Sequence, residues 1–195
     1  MKRKYELRKR AEAQAETRRR IVEAAIQLHQ TKGPARTTFS EVAELAGVQR
    51  ATLYKHFPTE RDLGIACSGL YSERNPAPDP SAWLSVGGDE RLQLGLTELY
   101  EFFDRNQAMI SRVLADSESD ELTRELFTLR FGGQLAAMRS ALAAALPRNK
   151  KALAALDLAL SFGTWRQLAQ SGLSNAAAAD VMVRSLLAQR ATVRR

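Results

Sequence analysis

Four polar residues between positions 49 and 55 are of the types that read the edges of nucleic-acid bases. They lie on the outer side of a short helix that we predict over about residues 49–56: Gln49, Arg50, Thr52 and Lys55. Arginine can donate two parallel hydrogen bonds to guanine, and glutamine can pair in the same two-point way with adenine. Arg50 and Gln49 are therefore the best candidates for base contacts, on a helix that would enter a major groove.

The residues around this helix predict a helix-turn-helix, in which two short helices cross closely through a tight turn. The first helix, over about 38–46, begins with a capping box, because Thr38 is the N-cap and Glu41 follows three residues later. Ala43 is small enough for the crossing, and Gly47 suits a turn that needs a positive φ. The shared small core is predicted from Val42, Ala46, Val48 and Leu53.

Positive charge is concentrated in the first third of the chain. The net charge of the chain is +7. Residues 1–66 hold 14 basic and 8 acidic residues, a net +6, whereas residues 67–195 hold 15 and 14, a net +1. This asymmetry indicates a polyanionic partner for the first third. A solubilising tail on an unrelated protein is the alternative that charge alone leaves open.

The whole chain is expected to be all-α, with about nine helices and no strand signal. A basic arm over 1–15 precedes a first helix over 16–31, which ends at Gly33 and Pro34. The arm has too few apolar residues to bury a face and is expected to be mobile in isolation. It either extends the first helix along a DNA backbone, tracks a minor groove, or is a solvated tail. A proline-rich break at 75–80 follows the fourth helix, and the later helices are predicted at 59–73, 89–104, 106–116, 119–146, 150–171 and 175–191.

Several classes of protein are disfavoured by what the sequence lacks. The first twenty residues are charged without an apolar signal core, and no span is apolar enough to cross a membrane, so we expect a cytoplasmic protein. One cysteine, Cys67, excludes an internal disulfide and a multi-cysteine metal site. Nucleophile elbows, phosphate loops and zinc-protease motifs are missing, so we expect no enzyme, no metal and no cofactor.

The helix-turn-helix resembles the DNA-binding domain of TetR-family regulators. The resemblance is strong over about residues 17–65, and the rest of the chain matches the family only in helix number, helix lengths and total size. The residues that carry it are Thr37, Thr38, Val42, Ala43, Ala46, Gly47, Val48, Thr52, Leu53, Tyr54, Lys55, His56, Phe57, Asp62 and Leu63, with Ile21, Ala24, Ala25, Leu28 and Gly33 upstream.

The resemblance implies a homodimeric regulator, by default a repressor, which binds a near-palindromic operator in double-stranded DNA and releases it when a small-molecule effector binds. It implies a three-helix DNA-binding domain over 16–58 and a helical bundle for ligand binding and dimerisation over 59–195. It also implies a set of DNA-binding side chains. Phosphate contacts would come from Thr38, Tyr54 and His56, and base-edge or nearby phosphate contacts from Ser40, Gln49, Arg50, Thr52 and Lys55.

Two positions depart from the family pattern at the expected DNA surface. Gln49 replaces a small capping serine, which weakens the helix cap but gives a longer side chain. Glu60 replaces a lysine that is common near a phosphate, so we expect no phosphate contact at 60. Arg61 and Lys55 are the residues that would compensate.

Aromatic residues of the C-terminal part are the candidates for a small-molecule pocket between helices. Most aromatic residues there must be core, and a pocket would be built from the same side chains. Polar anchors would come from Arg105, Asn106, Gln134 or Arg166, each of which is otherwise an ordinary surface residue. The predicted ligand-binding residues are Trp83, Tyr100, Phe103, Phe127, Phe131, Gln134 and Trp165.

The last two long predicted helices carry small and apolar residues at helical spacing, which suits a four-helix interface between two copies. Intramolecular packing alone is the alternative. The fourth helix joins the two halves, and our hypothesis is that a ligand shifts this helix. The interface residues are Ala152, Ala155, Leu156, Ala159, Leu160, Gly163, Val181, Leu186 and Leu187.

An architectural DNA-binding protein without an inducer is the main competing function. The proportions argue against it, because about two-thirds of the chain lies outside the DNA motif. His29 is expected to be a surface or packing histidine, since no second histidine or cysteine follows it at ligand spacing. Cys67 is expected to be a small buried apolar residue.

Overall fold

A computed structural model of the protein describes residues 2–191, with the side chains of residues 5–189. Over this range the chain is helical and forms no strand, in agreement with the all-α expectation. A 3₁₀ turn (Ala82–Ser85) and a π turn (Thr128–Gly132) accompany the α-helices. The α-helices are α1 (Lys2–Lys32), α2 (Phe39–Leu45), α3 (Arg50–His56), α4 (Glu60–Arg74), α5 (Gly88–Arg105), α6 (Gln107–Ser117), α7 (Glu121–Phe127), α8 (Gly133–Ala143), α9 (Lys150–Ala159), α10 (Phe162–Gln170) and α11 (Asn175–Ala191).

The helices form two compact units, and each unit is assembled from two segments of the chain. The first unit contains α1–α4, α6 and α7, and the second contains α5 and α8–α11. The chain passes from one unit to the other after Asn75, Gln107 and Arg130. The functional division expected from the sequence, 16–58 and 59–195, does not coincide with these two compact units. It stays a prediction. Its last residues, 192–195, lie outside the described range.

The core of the first unit lies where α1 packs against α2 and α4, and where α2 packs against α3. Ile21 and Ala25 of α1 are fully buried and meet Val42, Leu53 and Phe57, which are also fully buried. Two capping boxes set the starts of α2 and α4 by closing the first turn with a side chain at each end.

The core of the second unit is built on α5, which packs along α11 and also contacts α8 and α10. Trp83 of the 3₁₀ turn is fully buried, and its indole N–H donates to Glu98 at 2.7 Å. The Arg91 guanidinium donates to the carbonyl oxygens of Trp83, Leu84 and Val86 at 3.1, 3.4 and 3.0 Å. One arginine thereby fixes the segment that follows the proline-rich break.

The basic N-terminal segment is helical and α1 begins at Lys2, so the predicted start of the first helix at residue 16 is wrong. Of the alternatives for the arm, extension of the first helix agrees with the structure, whereas its contact with DNA stays a prediction. No glycine or proline occurs before Gly33, and alanine, glutamate, arginine and lysine favour a helix. Exposed pairs one turn apart add support, as between Arg8 and Glu12 at 2.8 Å. Residue 1 and the side chains of residues 2–4 lie outside the described part of the arm.

Two further helix predictions need correction. The segment predicted as one helix over 119–146 is α7, the π turn and α8 in succession, and it ends at Ala143. The segment predicted over 150–171 is divided, because Ser161 leaves helical geometry with ψ 131° and begins a new helix. Its hydroxyl accepts from the N–H of Gly163 at 3.2 Å and so caps α10. Among the helices of residues 2–191, none combines the length and the apolar character that crossing a membrane requires.

Candidate nucleic-acid interface

The turn between α2 and α3 has the backbone geometry that the sequence predicts. Gly47 has φ +65°, in the left-handed region that favours glycine. The N–H of Gly47 donates to the carbonyl of Glu44 at 3.0 Å, and the N–H of Val48 donates to that of Ala43 at 2.9 Å. Ala43 is 3% exposed at the crossing. The predicted small core is present, since Val42, Ala46 and Leu53 are buried and Val48 packs against them.

The outward surface of α3 brings the predicted base-reading residues together. Gln49, Arg50 and Lys55 are exposed, and Thr52 is half-buried. Gln49 is the N-cap of α3 but its side chain makes no capping hydrogen bond, as its departure from serine leads one to expect. Ser40 is exposed on the first turn of α2. These side chains are polar and accessible on a helix whose opposite side is anchored in the core.

Tyr54 joins this surface to the core beneath it. Its ring centroid lies 5.1 Å from that of buried Phe39, while the residue as a whole is 42% exposed. The Arg50 guanidinium carbon lies 5.6 Å from the Tyr54 ring centroid, and its Nη2 is 3.4 Å from the tyrosine hydroxyl. Tyr54 therefore packs on one side and presents its hydroxyl beside the strongest candidate for a base contact.

Thr38 occupies the N-cap of α2 and its side chain is engaged there. The hydroxyl donates to the Glu41 carboxylate at 2.7 Å and accepts from the Glu41 N–H at 3.3 Å. Lys32 donates to the same carboxylate at 2.5 Å. The contact from Lys32, with those from Thr38, lowers the pKa of Glu41 to about 2. A phosphate contact from Thr38 would have to be made beside this network, since its hydroxyl proton points at Glu41.

His56, the third residue expected at a phosphate, ends α3 and is half-buried. Its carbonyl accepts from Nη1 of Arg18 at 2.9 Å, and the Arg18 guanidinium carbon lies 4.0 Å from the centroid of the Phe57 ring. Arg18 thus fixes the end of α3 to α1. Sequence reasoning missed this role, although the run Arg18, Arg19, Arg20 directly before the apolar stripe of α1 was a visible signal.

The expected compensation by Arg61 or Lys55 for a lysine at position 60 stays a prediction. Arg61 forms a two-point ion pair with Glu125 of α7, with Nη2 to Oε1 at 2.6 Å. This pair holds the Arg61 side chain within the first unit. Lys55 is exposed on α3.

Three of the predicted ligand-binding residues meet in one aromatic cluster of the second unit. Phe103 lies 6.3 Å from Tyr100, 6.0 Å from Trp165 and 5.4 Å from Phe162, between ring centroids. The Tyr100 hydroxyl donates to the carbonyl of Ala159 at 2.8 Å, and burial raises the pKa of Tyr100. The Trp165 indole donates to Asn175 at 2.9 Å. These polar atoms are therefore already engaged inside the protein.

The other predicted pocket residues are dispersed. Trp83 is buried under its own turn, and Phe131 is half-buried and stacks on Phe102 at 5.7 Å. Phe127 lies in the first unit rather than the second, and Gln134 is exposed. Of the proposed polar anchors, only Asn106 is buried, and Arg105 and Arg166 are exposed.

One surface cavity of about 500 Å³ lies elsewhere in the second unit, between the C-terminal part of α8 and the start of α9. None of the predicted ligand-binding residues lines it. Its walls come from Ala136, Arg139, Ser140, Ala143, Ala144, Arg148 and Leu153.

His29 and Cys67, which the sequence separates by 38 positions, meet in the first unit. The Cys67 sulfur lies 3.6 Å from Nδ1 of His29, and Cys67 is 4% exposed. Burial lowers the pKa of His29 to about 4, against the opposing charge of Asp116, and raises the pKa of the Cys67 thiol to about 12. No three histidine, cysteine or carboxylate side chains are grouped to hold a metal ion within residues 5–189.

The helix-turn-helix region is similar to known proteins in sequence. Residues 21–67 match the family described as bacterial regulatory proteins, tetR family. Over 89 residues the chain is 44% identical to the probable HTH-type transcriptional regulator ArpR of Pseudomonas putida, and equally to the HTH-type transcriptional regulator TtgR of the same species. Each match covers 46% of this chain and 41% of the relative, so less than half of either relative is matched.

The similarity in fold extends much further than the similarity in sequence. The solved structure of HlyIIR, a hemolysin II transcriptional regulator, superimposes with a TM-score of 0.66 at 15% identity, over 88% of this chain and 97% of that chain. At this identity the likeness concerns the fold alone. Residues 21–67 are thus similar to the DNA-binding region of tetR-family regulatory proteins, and the chain as a whole shares its all-helical fold with a solved regulator.

Proposed function

We propose that this protein is a transcriptional repressor that binds a palindromic operator as a homodimer and is released by a small-molecule effector. The observation that carries the proposal is the outward side of α3, where Gln49, Arg50 and Lys55 are exposed above a tightly packed turn. Base reading requires donor and acceptor side chains on an element that enters the major groove, and the exposed polar side of α3 supports that role.

Phosphate contacts would set the register of α3 on the duplex without reading sequence. The Tyr54 hydroxyl is suited to this, because its ring is held by Phe39 and the hydroxyl lies at the surface. His56 and Thr38 lie at the end of α3 and the start of α2. They would bracket the groove-binding face.

A homodimer is supported by exposed apolar side chains on α9 and α11, two helices that pack against each other. Leu158 is 58% exposed and Val181 is 41% exposed, and Gly163 of α10 is exposed as well. A second copy would cover such residues. Several of the predicted interface residues are instead part of the protein's own core: Ala152, Leu156, Ala159, Leu160 and Leu186.

The effector would bind in the second unit, at the aromatic cluster around Phe103 or in the cavity beside α8. A ligand can move the equilibrium between two states only by its difference in affinity for them. We propose that it acts by shifting α4, which changes the spacing of the two α3 helices in the dimer. Half-sites about 34–36 Å apart require a matching spacing of the α3 helices, so a changed spacing would prevent both helices from docking together. Equal α3 spacing in dimer structures with and without effector would exclude this mechanism.

The experiment that tests the function is selection of bound duplexes from a random pool, at near-physiological salt and at higher salt. We expect a palindrome that survives the higher salt, because base contacts persist when counterions compete with phosphate contacts. Arg50→Ala is expected to cost about 1–3 kcal/mol at one base pair of each half-site and to relax the preference there. Tyr54→Phe keeps the ring on Phe39 but removes a hydroxyl that accepts from Arg50. It should therefore weaken binding to all sequences through the lost phosphate contact and change the preference only at the base pair that Arg50 reads.

Sequence-blind binding that vanishes at higher salt would overturn the proposal and favour an architectural DNA-binding protein. The recovered palindrome would also serve as the probe in a screen for the effector. A complex that no small molecule dissociates would remove the effector from the proposal but leave the operator binding intact.

A further inference from the structure

We infer that the N-terminal half of α1 binds the phosphates of DNA that flanks the site read by α3. The inference rests on the proposed function, since it requires that α3 bind DNA. It concerns an interaction surface of residues 2–16, which we call the α1 extension.

The α1 extension has no partner in the part of the chain that the structure describes. Every residue from Tyr5 to Glu16 is exposed, with Tyr5 at 67% and Leu7 at 60%. Short helices that bury nothing are only marginally stable in water, because most helical stability in proteins comes from packing. A helix of this length without any packed face is therefore most stable when a second molecule covers it.

The charge of the α1 extension identifies the kind of molecule. Residues 2–16 contain six basic and three acidic residues. Arg8, Lys9 and Arg10 are consecutive, so their side chains lie about 100° apart around the helix. These three cations span about 200° of the helix circumference. Tyr5 and Leu7 are the large apolar residues of the extension, and two such residues do not form the apolar stripe that a protein groove or a membrane surface requires. The cations suit a polyanion.

The position of the α1 extension indicates that this polyanion is DNA. The extension ends just before Arg18, which is bonded to the carbonyl of His56 at the end of α3. Arg20 lies beside the turn, where its Nη1 would be 3.7 Å from a Cβ at Gly47. The exposed segment thus continues directly from the helix-turn-helix. At about 1.5 Å per residue it is about 21 Å long, enough to pass about six phosphates of one strand.

The test compares two triple variants of the full chain on the selected operator duplex. Arg8→Gln, Lys9→Gln and Arg10→Gln remove three charges from the α1 extension, while glutamine keeps the helix propensity. The control, Arg112→Gln, Lys150→Gln and Lys151→Gln, removes three exposed charges that lie outside the helix-turn-helix and outside the proposed effector sites. Affinity is measured between 50 and 200 mM salt, and the base preferences are measured by repeating the selection.

Because a dimer carries two extensions, we expect the α1 variant to reduce the slope of log K against log salt by up to about 5.4. The wild type would then lose up to about 1,800-fold more affinity than the variant over that salt range. Its base preferences should be unchanged, which also shows that the helix-turn-helix is folded. The control should match the wild type in both measurements.

Duplex length gives a second readout. Adding about ten base pairs of arbitrary sequence to each side of the operator should strengthen binding by the wild type but not by the α1 variant. An α1 variant with the wild-type slope and no loss of the length effect would overturn the inference, and the proposed function would stand. A wild type without any palindrome preference would instead overturn the proposed function itself.

Discussion

The same substitution, glycine to alanine, should have three different effects on stability at three positions of this chain. At Gly47 the cost comes from the backbone alone, because φ is +65° while the nearest heavy atom to a new Cβ, Nη1 of Arg20, lies at an ordinary 3.7 Å. The left-handed conformation costs an alanine about 1–2 kcal/mol. Alanine also restricts the unfolded chain more than glycine does, which offsets about 0.4–1 kcal/mol of this cost. The net destabilisation is about 1 kcal/mol.

At Gly33 the same strain is joined by a collision. Its φ is +96°, and a Cβ would lie 2.3 Å from Oδ2 of Asp116. That carboxylate is buried at 8% exposure and accepts from the N–H of Ala35 at 3.0 Å. Moving it would sacrifice a hydrogen bond to a charged acceptor, about 1.5–3 kcal/mol. Gly33→Ala should therefore destabilise by about 3 kcal/mol.

Gly133 is the control, because it begins α8 without a positive φ and a Cβ there would meet nothing within 4 Å. Gly133→Ala should stabilise by about 0.5–1 kcal/mol through the entropy of the unfolded chain. The assay is urea unfolding followed by helical circular dichroism, with midpoints compared at equal m-values. Tryptophan fluorescence reports only the second unit, since Trp83 and Trp165 both lie there.

The reasoning would be refuted if Gly33→Ala and Gly47→Ala lowered the unfolding midpoint equally, because the difference between them is the collision with Asp116. It would also fail if Gly133→Ala destabilised the protein as much as Gly47→Ala does.

Two titratable groups of the first unit give the remaining predictions. Partial burial lowers the pKa of His29 to about 4 from its ordinary value of 6.5. The unfolded chain therefore takes up a proton before the folded one does, and stability should be lost as pH falls from about 6.5 to about 4. His29→Gln should flatten this part of a stability-against-pH curve, and an unchanged slope would contradict the assignment. Burial raises the pKa of Cys67 to about 12, so a thiol reagent at pH 8 should label the native protein far more slowly than the denatured one. Equal labelling rates would show that the thiol is accessible.

The helix-turn-helix could be predicted because its signals are local. The capping pair Thr38 and Glu41, the turn at Gly47 and the buried face with Val42 and Leu53 all lie within 16 residues. Each acts through backbone geometry or helical periodicity, which the sequence displays directly. The structure agrees with all of them.

Contacts between distant positions could not be predicted in this way. Arg18 meets His56 across 38 residues, and Arg61 meets Glu125 across 64. Nothing in the periodicity of either partner specifies the other, because such pairs depend on how complete helices pack. The start of α1 was missed for the opposite reason: its extension is helical by propensity while the apolar pattern that guides prediction begins only near Ile21.

The pocket prediction was limited by chemistry rather than by distance. Tyr100, Phe103 and Trp165 are as suitable for lining a ligand cavity as for filling a core, and composition does not distinguish the two. The hydrogen bonds from Tyr100 to Ala159 and from Trp165 to Asn175 show that these polar ends have partners inside the protein.

The way the chain alternates between its two units limits how its modules can be exchanged. A chimera that joined residues 1–75 to a different C-terminal module would look like a clean transplant of the helix-turn-helix, yet it would separate α4 from α6 and α7. Arg61 would lose Glu125, and the loop at Ala35 would lose Asp116. The transplantable module is therefore defined by contacts and not by a cut point, and a working graft would have to carry residues 108–130 with it.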